Sequence, residues 1–387
     1  MQQIKNMIKK LHAYIIREFF WSFLLGVLIS SLLLILNLVF ELMDLFLSKG
    51  VTVFLILKLF VLWLPNILTL AIPIAVLFGI LLAYGRLSSD NEITAMKSSG
   101  LDYKTLTMPV TICVCVVSFF LLFFNHFLAP TINARYKSLT EEIMTKRPLV
   151  KFNEKSITEI GEYHICANKV DNNNNSLYEM SIYKFGDNST SNKGTETKNI
   201  LPQNDKGSWR ITASSATVKA YENCMQLTMH QGYWQKAHPE NLNAMAHMTF
   251  ETYVFFIPLD VVVKGDGLLP SAIQSHKLLK IIKESKKQGL ATTAYECEKD
   301  YWYRWIFAFA PFGFALVALP IGMMIGKHGK AIGFGVSFVV VLIYYTLLIL
   351  STKLGEKEYA PIGIILWLPN FVITIIGTSL FIKMVKK

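Results

Sequence analysis

The stretch Tyr84-Gly85-Arg86-Leu87-Ser88-Ser89-Asp90-Asn91-Glu92-Ile93-Thr94-Ala95-Met96-Lys97-Ser98-Ser99-Gly100 is a polar island between two long hydrophobic runs. Ser89 is placed to act as an N-cap, its hydroxyl accepting from an orphaned N–H of the first turn, and Glu92 three residues on can close a capping box. Gly100 suits the left-handed residue that ends such a helix. The spacing predicts a helix over about 89–99, roughly 15 Å long. A short capped helix between two membrane-length runs is a handle that another protein can grip.

Outward from this island the chain is that of a membrane protein. Of its 387 residues 52% are hydrophobic and only 17% charged, against about 25% charged in soluble proteins. The net charge of +11 comes from Lys and Arg that flank apolar spans without aromatic interleaving. That pattern fits a membrane surface and points away from nucleic acid. Six runs reach the roughly 20 apolar residues a bilayer requires: about 19–47, 51–84, 106–127, 305–325, 331–350 and 361–382. The first two are long enough to tilt, and Pro65, Pro73, Pro311 and Pro320 predict kinks. The first run is too long for a cleavable signal peptide and lacks a small-residue cleavage site.

With six alternating spans, Lys5, Lys9, Lys10, Arg17, Arg86, Lys97, Lys104, Lys327, Lys330, Lys383, Lys386 and Lys387 all fall on one side. The positive-inside rule makes that side cytoplasmic, with both termini inside. The insert between the third and fourth spans then lies outside. It opens with a polar segment and continues as short runs rich in β-branched and aromatic residues, at 163–170, 177–185, 209–221, 225–235 and 249–263, separated by turn-like breaks at 172–175 and 186–194. No comparable helix interrupts them, which favours a sandwich or jelly roll. Residues 271–287 form an amphipathic pattern, Ile273, Leu278, Leu279, Ile281 and Ile282 against Lys277, Lys280, Lys283, Lys286 and Lys287. That basic cluster outside runs against the charge rule.

The expected fold class is thus α-helical, six transmembrane helices with an inserted all-β extracytoplasmic domain, a sandwich or jelly roll. The expected divisions are 1–128 (three spans with the short cytoplasmic helix), 129–268 (β domain), 269–303 (amphipathic helix and linker) and 304–387 (three spans).

Catalytic chemistry is sparse. Gly326-Lys327-His328 lacks both the glycine spacing and the Ser or Thr of a Walker A loop, and no HExxH, GxSxG or Ser-His-Asp pattern occurs. His230, His238 and His247 fit scattered surface histidines better than a metal site, so no metal or cofactor is assigned to the chain. Cys113 and Cys115 sit in an apolar run as small hydrophobes; Cys166 and Cys224 could pair in an oxidising compartment, but free thiols are the favoured reading. Asn37, Glu41 and Asp44 recur at helical spacing near the outer end of the first span, with Lys58 in the second. Either they lie at headgroup level, Lys58 snorkelling, or they line a lateral path for an amphipathic substrate. In the insert, Tyr253 and Phe255 belong to the inward face of a strand. An ordinary packed core and a lipid path both produce that alternation.

Further motifs carry a resemblance: Leu64-Pro65 followed by Ile72-Pro73-Ile74-Ala75-Val76-Leu77, the island from Tyr84-Gly85-Arg86-Leu87 to Ser99-Gly100, then Pro320-Ile321-Gly322, Tyr344-Tyr345 and Trp367-Leu368-Pro369-Asn370. In this order, over nearly the whole chain, they resemble the LptF/LptG (YjgP/YjgQ) lipopolysaccharide-export permeases. The resemblance implies one permease subunit of a heterodimer in the bacterial inner membrane, driven by a cytoplasmic ATPase dimer that binds the ATP and Mg. It also implies a single-span accessory subunit and a periplasmic bridge of jelly rolls like the insert, onto which lipopolysaccharide is passed. Glu92 matches the family's acidic ATPase contact, with Arg86 beside it and with Ile93 and Met96 placed to fill a hydrophobic groove of the ATPase. The lipid is expected to pass between the first span and the fifth span of the partner subunit. The chain departs from the family there, since the family's phosphate contacts are basic, whereas Glu41 and Asp44 stand in that stretch and Lys49 and Lys58 are the nearest cations. The competing readings are a non-transporting signalling or mechanotransmission protein with a β-rich sensor, and a lipid-modifying enzyme, which the missing catalytic cluster disfavours.

Overall fold

A backbone in lipid must satisfy its own N–H and C=O groups, so each apolar run becomes a helix. The computed structural model describes residues 2–47, 51–146, 152, 154–160, 162–171, 174–184, 208–220, 224–237, 245–258, 269–324, 329–356 and 361–386. Its helices are α1 (Gln2–Leu47), α2 (Val53–Ser89), α3 (Glu92–Ser98), α4 (Tyr103–Phe123), α5 (Ala129–Lys146), α6 (Ser275–Lys287), α7 (Ala291–Met324), α8 (Gly329–Glu356) and α9 (Ile362–Val385). Among the described residues, six helical stretches are long and apolar enough to cross a membrane: α1, α2, α4 with α5, α7, α8 and α9. They outrun the hydropathic runs, α7 beginning at Ala291 rather than near 305, because helical hydrogen bonding continues past the point where the side chains turn polar.

The chain divides into two compact units, one of Met1–Phe40, Phe60–Tyr136 and Pro270–Lys387, the other of Glu41–Leu59 and Lys137–Leu269. In the first, α2 and α7 are the central helices, with Leu77, Ile80, Leu81, Ala315, Ala318 and Leu319 buried in one cluster. Both run through their internal prolines without a break. Close approach depends on glycine: a Cβ on Gly79 would sit 2.8 Å from the Phe23 Cα of α1, and one on Gly377 of α9 would sit 2.7 Å from the Leu316 backbone carbon of α7. Small residues at such crossings let dispersion forces act where there is no hydrophobic drive between helices in lipid.

Polar side chains within this unit pair with one another. Tyr344 on α8 donates to Asn370 Oδ1 at 3.0 Å, and Asn370 Nδ2 donates to the Ile306 carbonyl of α7 at 3.1 Å. The residues joining α4 to α5, Phe124–Leu128, form a π-helical turn. Pro130 lacks the N–H that would bond the His126 carbonyl four residues back, which accounts for the irregularity. The turn is used: Asn125 accepts from Thr69 Oγ1 at 2.8 Å and reaches the Arg304 carbonyl at 3.4 Å.

The second unit contains one antiparallel sheet with strands β1 (Ser156–Ile160), β2 (Tyr163–Asp171), β3 (Ser176–Lys184), β4 (Trp209–Ala220), β5 (Cys224–Ala237) and β6 (Met245–Pro258), paired in sequence order. A jelly roll would add Greek-key crossovers, and the described strands are joined as a meander. Alternation places one buried row across them: Ile165 opposes Ile182, which opposes Ile211, while Val218 opposes Leu227, which opposes Phe255. Four strand spacings would put β2 and β6 about 19 Å apart in a flat sheet, yet the Tyr163 and Phe255 rings lie 5.3 Å apart, with Trp209 at 6.0 Å from each. The sheet therefore curls over its apolar face. Gly232 leaves room for its neighbours across the ladder, since a Cβ there would overlap the Thr212 carbonyl and the Phe250 ring.

Three details go beyond the sequence reading. The polar start of the insert is the helix α5, and β1 is an additional strand whose Ile157 is exposed. Cys166 and Cys224 are free thiols on β2 and β5, with two strands between them in the sheet order. His230 opposes Thr252 and His247 opposes Gln235, about five residues or 17 Å apart along the ladder, too far to share an ion; His238 lies outside the described residues.

Tyr344→Phe strands the Asn370 carbonyl oxygen in an apolar interior and should cost about 1 kcal/mol, near typical values for hydrogen bonds between membrane helices. Asn370→Leu should cost more, since it takes a side-chain partner from both the Tyr344 hydroxyl and the Ile306 carbonyl. Both are checked by Tm in detergent, and two unchanged melting curves would contradict the role given to this pair.

Candidate functional site at the α2–α3 turn

The island between the second and third spans folds differently from its sequence signature. α2 continues through Ser89, whose hydroxyl donates back to the Arg86 carbonyl at 3.2 Å. The expected capping box is therefore not formed. The break comes at Asn91, in the left-handed region (φ 60°, ψ 12°), and α3 is only seven residues long. Asn tolerates this conformation better than most residues. The C-terminal end follows expectation: Gly100 adopts φ +85°, its N–H bonding the Lys97 carbonyl at 2.9 Å, while the Leu101 N–H reaches the Met96 carbonyl at 3.3 Å. Those two bonds make a Schellman motif.

Instead of a cap, Glu92 has a partner on α1. The Tyr14 hydroxyl stands 3.0 and 2.9 Å from the two Glu92 carboxylate oxygens and donates to them. The same hydroxyl accepts from Arg86 Nη2 at 2.9 Å. Arg86 Nε lies 2.8 Å from Glu18 Oε1, out of line for a hydrogen bond, so this contact is an ion pair. Two carboxylates, one guanidinium and one phenol thus join α1, the last turn of α2 and the first turn of α3. Beneath them Ile15, Phe19, Leu87 and Ile93 are buried in the same cluster, with Met96 packed against it. Ile93 is 5% exposed. Of the two apolar residues that the sequence offered to a partner's groove, Ile93 is buried against its own chain, while Met96 packs there and stays partly exposed. Asp90, Asn91, Thr94, Lys97, Ser98 and Ser99 are the exposed polar residues of this turn.

The other sequence-predicted residues are not brought together. Asn37, Glu41 and Asp44 share a face of α1 by its helical backbone, but their side chains, like all of Lys49, lie outside the described residues. Lys58 is exposed on α2. On β6, Tyr253 is half-buried and Phe255 is enclosed by Tyr163 and Trp209; burial pushes the Tyr253 hydroxyl pKa up.

A second polar centre was not legible in the sequence. Arg304 of α7 bonds Asp300 Oδ2 at 2.7 and 3.0 Å, Ser275 Oγ at 2.9 Å, and the carbonyls of Pro270 and Ile273 at 3.0 and 2.8 Å. It borders a cavity of about 200 Å³ lined also by Asn66, Thr69, Asn125 and Asn133. Two of its four partners are backbone carbonyls, which carry no sequence signal; an Arg at the edge of an apolar run with Asp300 one helical turn before it was the only hint. The guanidinium clamps the segment that leads into α6. Among the described residues no group of three His, Cys, Asp or Glu is placed to hold a metal ion.

The model of the lipopolysaccharide export system permease LptF/LptG family matches residues 13–383. The chain belongs to that family. No curated protein matches it. The match runs from α1 into α9 and takes in the whole sheet, so every element described above except the two chain ends lies within the LptF/LptG pattern. The chain is accordingly a multi-pass membrane protein and, at family level, a lipopolysaccharide export permease, a transporter component and not an enzyme.

Arg304→Met leaves the Asp300 carboxylate half-buried without its partner and should cost about 3 kcal/mol. Arg304→Lys should recover only part, because an ammonium cannot span a carboxylate, a hydroxyl and two carbonyls at once. Thermal melting in detergent checks both, and the order wild type, Lys, Met is the expected one.

Proposed function

We propose that this chain is one permease subunit of an ATP-driven exporter that extracts lipopolysaccharide from the bacterial inner membrane. In this reading it pairs with a homologous permease, and a cytoplasmic ATPase dimer binds ATP and Mg. The insert is a periplasmic jelly-roll domain that hands the lipid to a bridge of like domains, where a single-span accessory subunit also acts. Both termini and α3 are cytoplasmic. The observation that carries the reading is the family match over residues 13–383. The α2–α3 turn supports it, being a short polar element anchored from below on three helices, with Glu92 partly exposed at its start.

Within this proposal Glu92 meets a cation of the ATPase, and Arg86 balances its charge. Ile93 and Met96 act by fixing α3 from beneath. Asn37, Glu41 and Asp44 mark the lateral gate on the first span, where a bridging divalent cation or the basic residues Lys49 and Lys58 would offset carboxylate repulsion of lipid phosphates. Tyr253 and Phe255 lie on the inner face of the curled sheet, which would receive the acyl chains.

Glu92→Gln tests the contact cleanly, because glutamine can still accept from Tyr14 but cannot pair with a cation. Loss of ATPase copurification or of lipid release is expected; wild-type levels of both would remove Glu92 from the interface. For the sheet, a photo-crosslinker at Tyr253 or Phe255 should capture lipopolysaccharide in energised membranes, while one at the exposed Val254 or Phe256 should not. The reverse pattern would exclude the inner face as a path.

A further inference from the structure

Glu92 is the only α3 residue whose side chain hydrogen-bonds to α1 among the described residues, and it does so through one atom, the Tyr14 hydroxyl. The other inter-helix side-chain tie described for α3 runs from Lys97 to Tyr103 on α4. Tyr14 and Glu18 are one turn apart on α1 and face the same way, toward Arg86. α1 then continues without a proline, and Asn37 lies 23 residues beyond Tyr14, about 35 Å along the axis. Ser30 ties the middle of this helix to α2, donating to the Ala71 carbonyl at 3.2 Å.

We propose that Tyr14 is a positioning residue that makes α1 follow α3, so that a displacement received at Glu92 reaches the span carrying Asn37. The hydroxyl suits this role because it acts in both directions at once, donating to Glu92 and accepting from Arg86. An ammonium could only donate and a carboxylate only accept. A phenylalanine would keep the ring and its packing on α1 but would sever both bonds, leaving Glu92 free of α1 and Arg86 paired with Glu18 alone. The inference rests on the reading of α3 as the ATPase-facing element, and it adds where the force goes next.

The test uses the full transporter complex in proteoliposomes and reads lipopolysaccharide exported per ATP hydrolysed. Tyr14→Phe should leave ATPase copurification at the wild-type level and lower that ratio about fivefold or more, the lower end of coupling between distant sites. Glu18→Gln, which breaks the ion pair but spares the Tyr14 bonds, should keep the ratio near wild type. A Tyr14→Phe complex with an unchanged ratio would overturn the proposal, even if hydrolysis and export fell together, since that is the mark of a merely structural residue. Lost copurification would also overturn it, reducing Tyr14 to a support of the docking surface. Glu92→Gln separates the two readings: wild-type association and export in that variant would sink the Glu92 contact, whereas the fate of Tyr14 is decided by its own ratio.

Discussion

Lipid offers no hydrogen bonds, and the architecture of the helical unit follows from that constraint. Backbone groups satisfy it by forming helices, and the side chains that break the apolar pattern satisfy it by finding one another. Asn370 accepts a hydrogen bond from Tyr344 and donates one to a carbonyl on α7. Asn125 occupies a π-helical turn and links α2 to α7. Arg304 spends its donors on a carboxylate, a hydroxyl and two carbonyls. Each such residue fixes a crossing that apolar contact alone would leave free to slide.

The same logic explains why the sequence was readable in one respect and opaque in another. Periodicity and run length sufficed for the six helices and for five of the six strands, since burial against lipid or within a sheet leaves a mark on every residue of an element. β1 escaped because an edge strand with an exposed Ile157 has little alternation to show. The strand order and the curl escaped because they depend on contacts such as Tyr163 with Phe255, whose residues are far apart in the chain.

Around Glu92, local rules gave the right helix for a partly wrong reason. Ser89 and Glu92 have the spacing of a capping box, but α2 had not yet ended at Ser89, so there was no exposed helix start to cap. The carboxylate went to a tyrosine 78 residues earlier. Gly100 was legible because the requirement it meets, a positive φ, is local. Ile93 and Met96 were read as apolar residues free for a partner, and only the packing shows that the chain uses them itself.

The brevity of α3 has a consequence of its own. Seven residues cannot hold a helix in water, where isolated helices need about twelve to fifteen. α3 exists because Ile93 is seated in a pocket built by other helices. Its outward face therefore has no shape until α1, α2 and α4 have come together. A protein that recognises this face recognises tertiary structure and not a peptide, and it will pass over unfolded or half-inserted chains. The handle thus doubles as a certificate that the membrane part has been assembled.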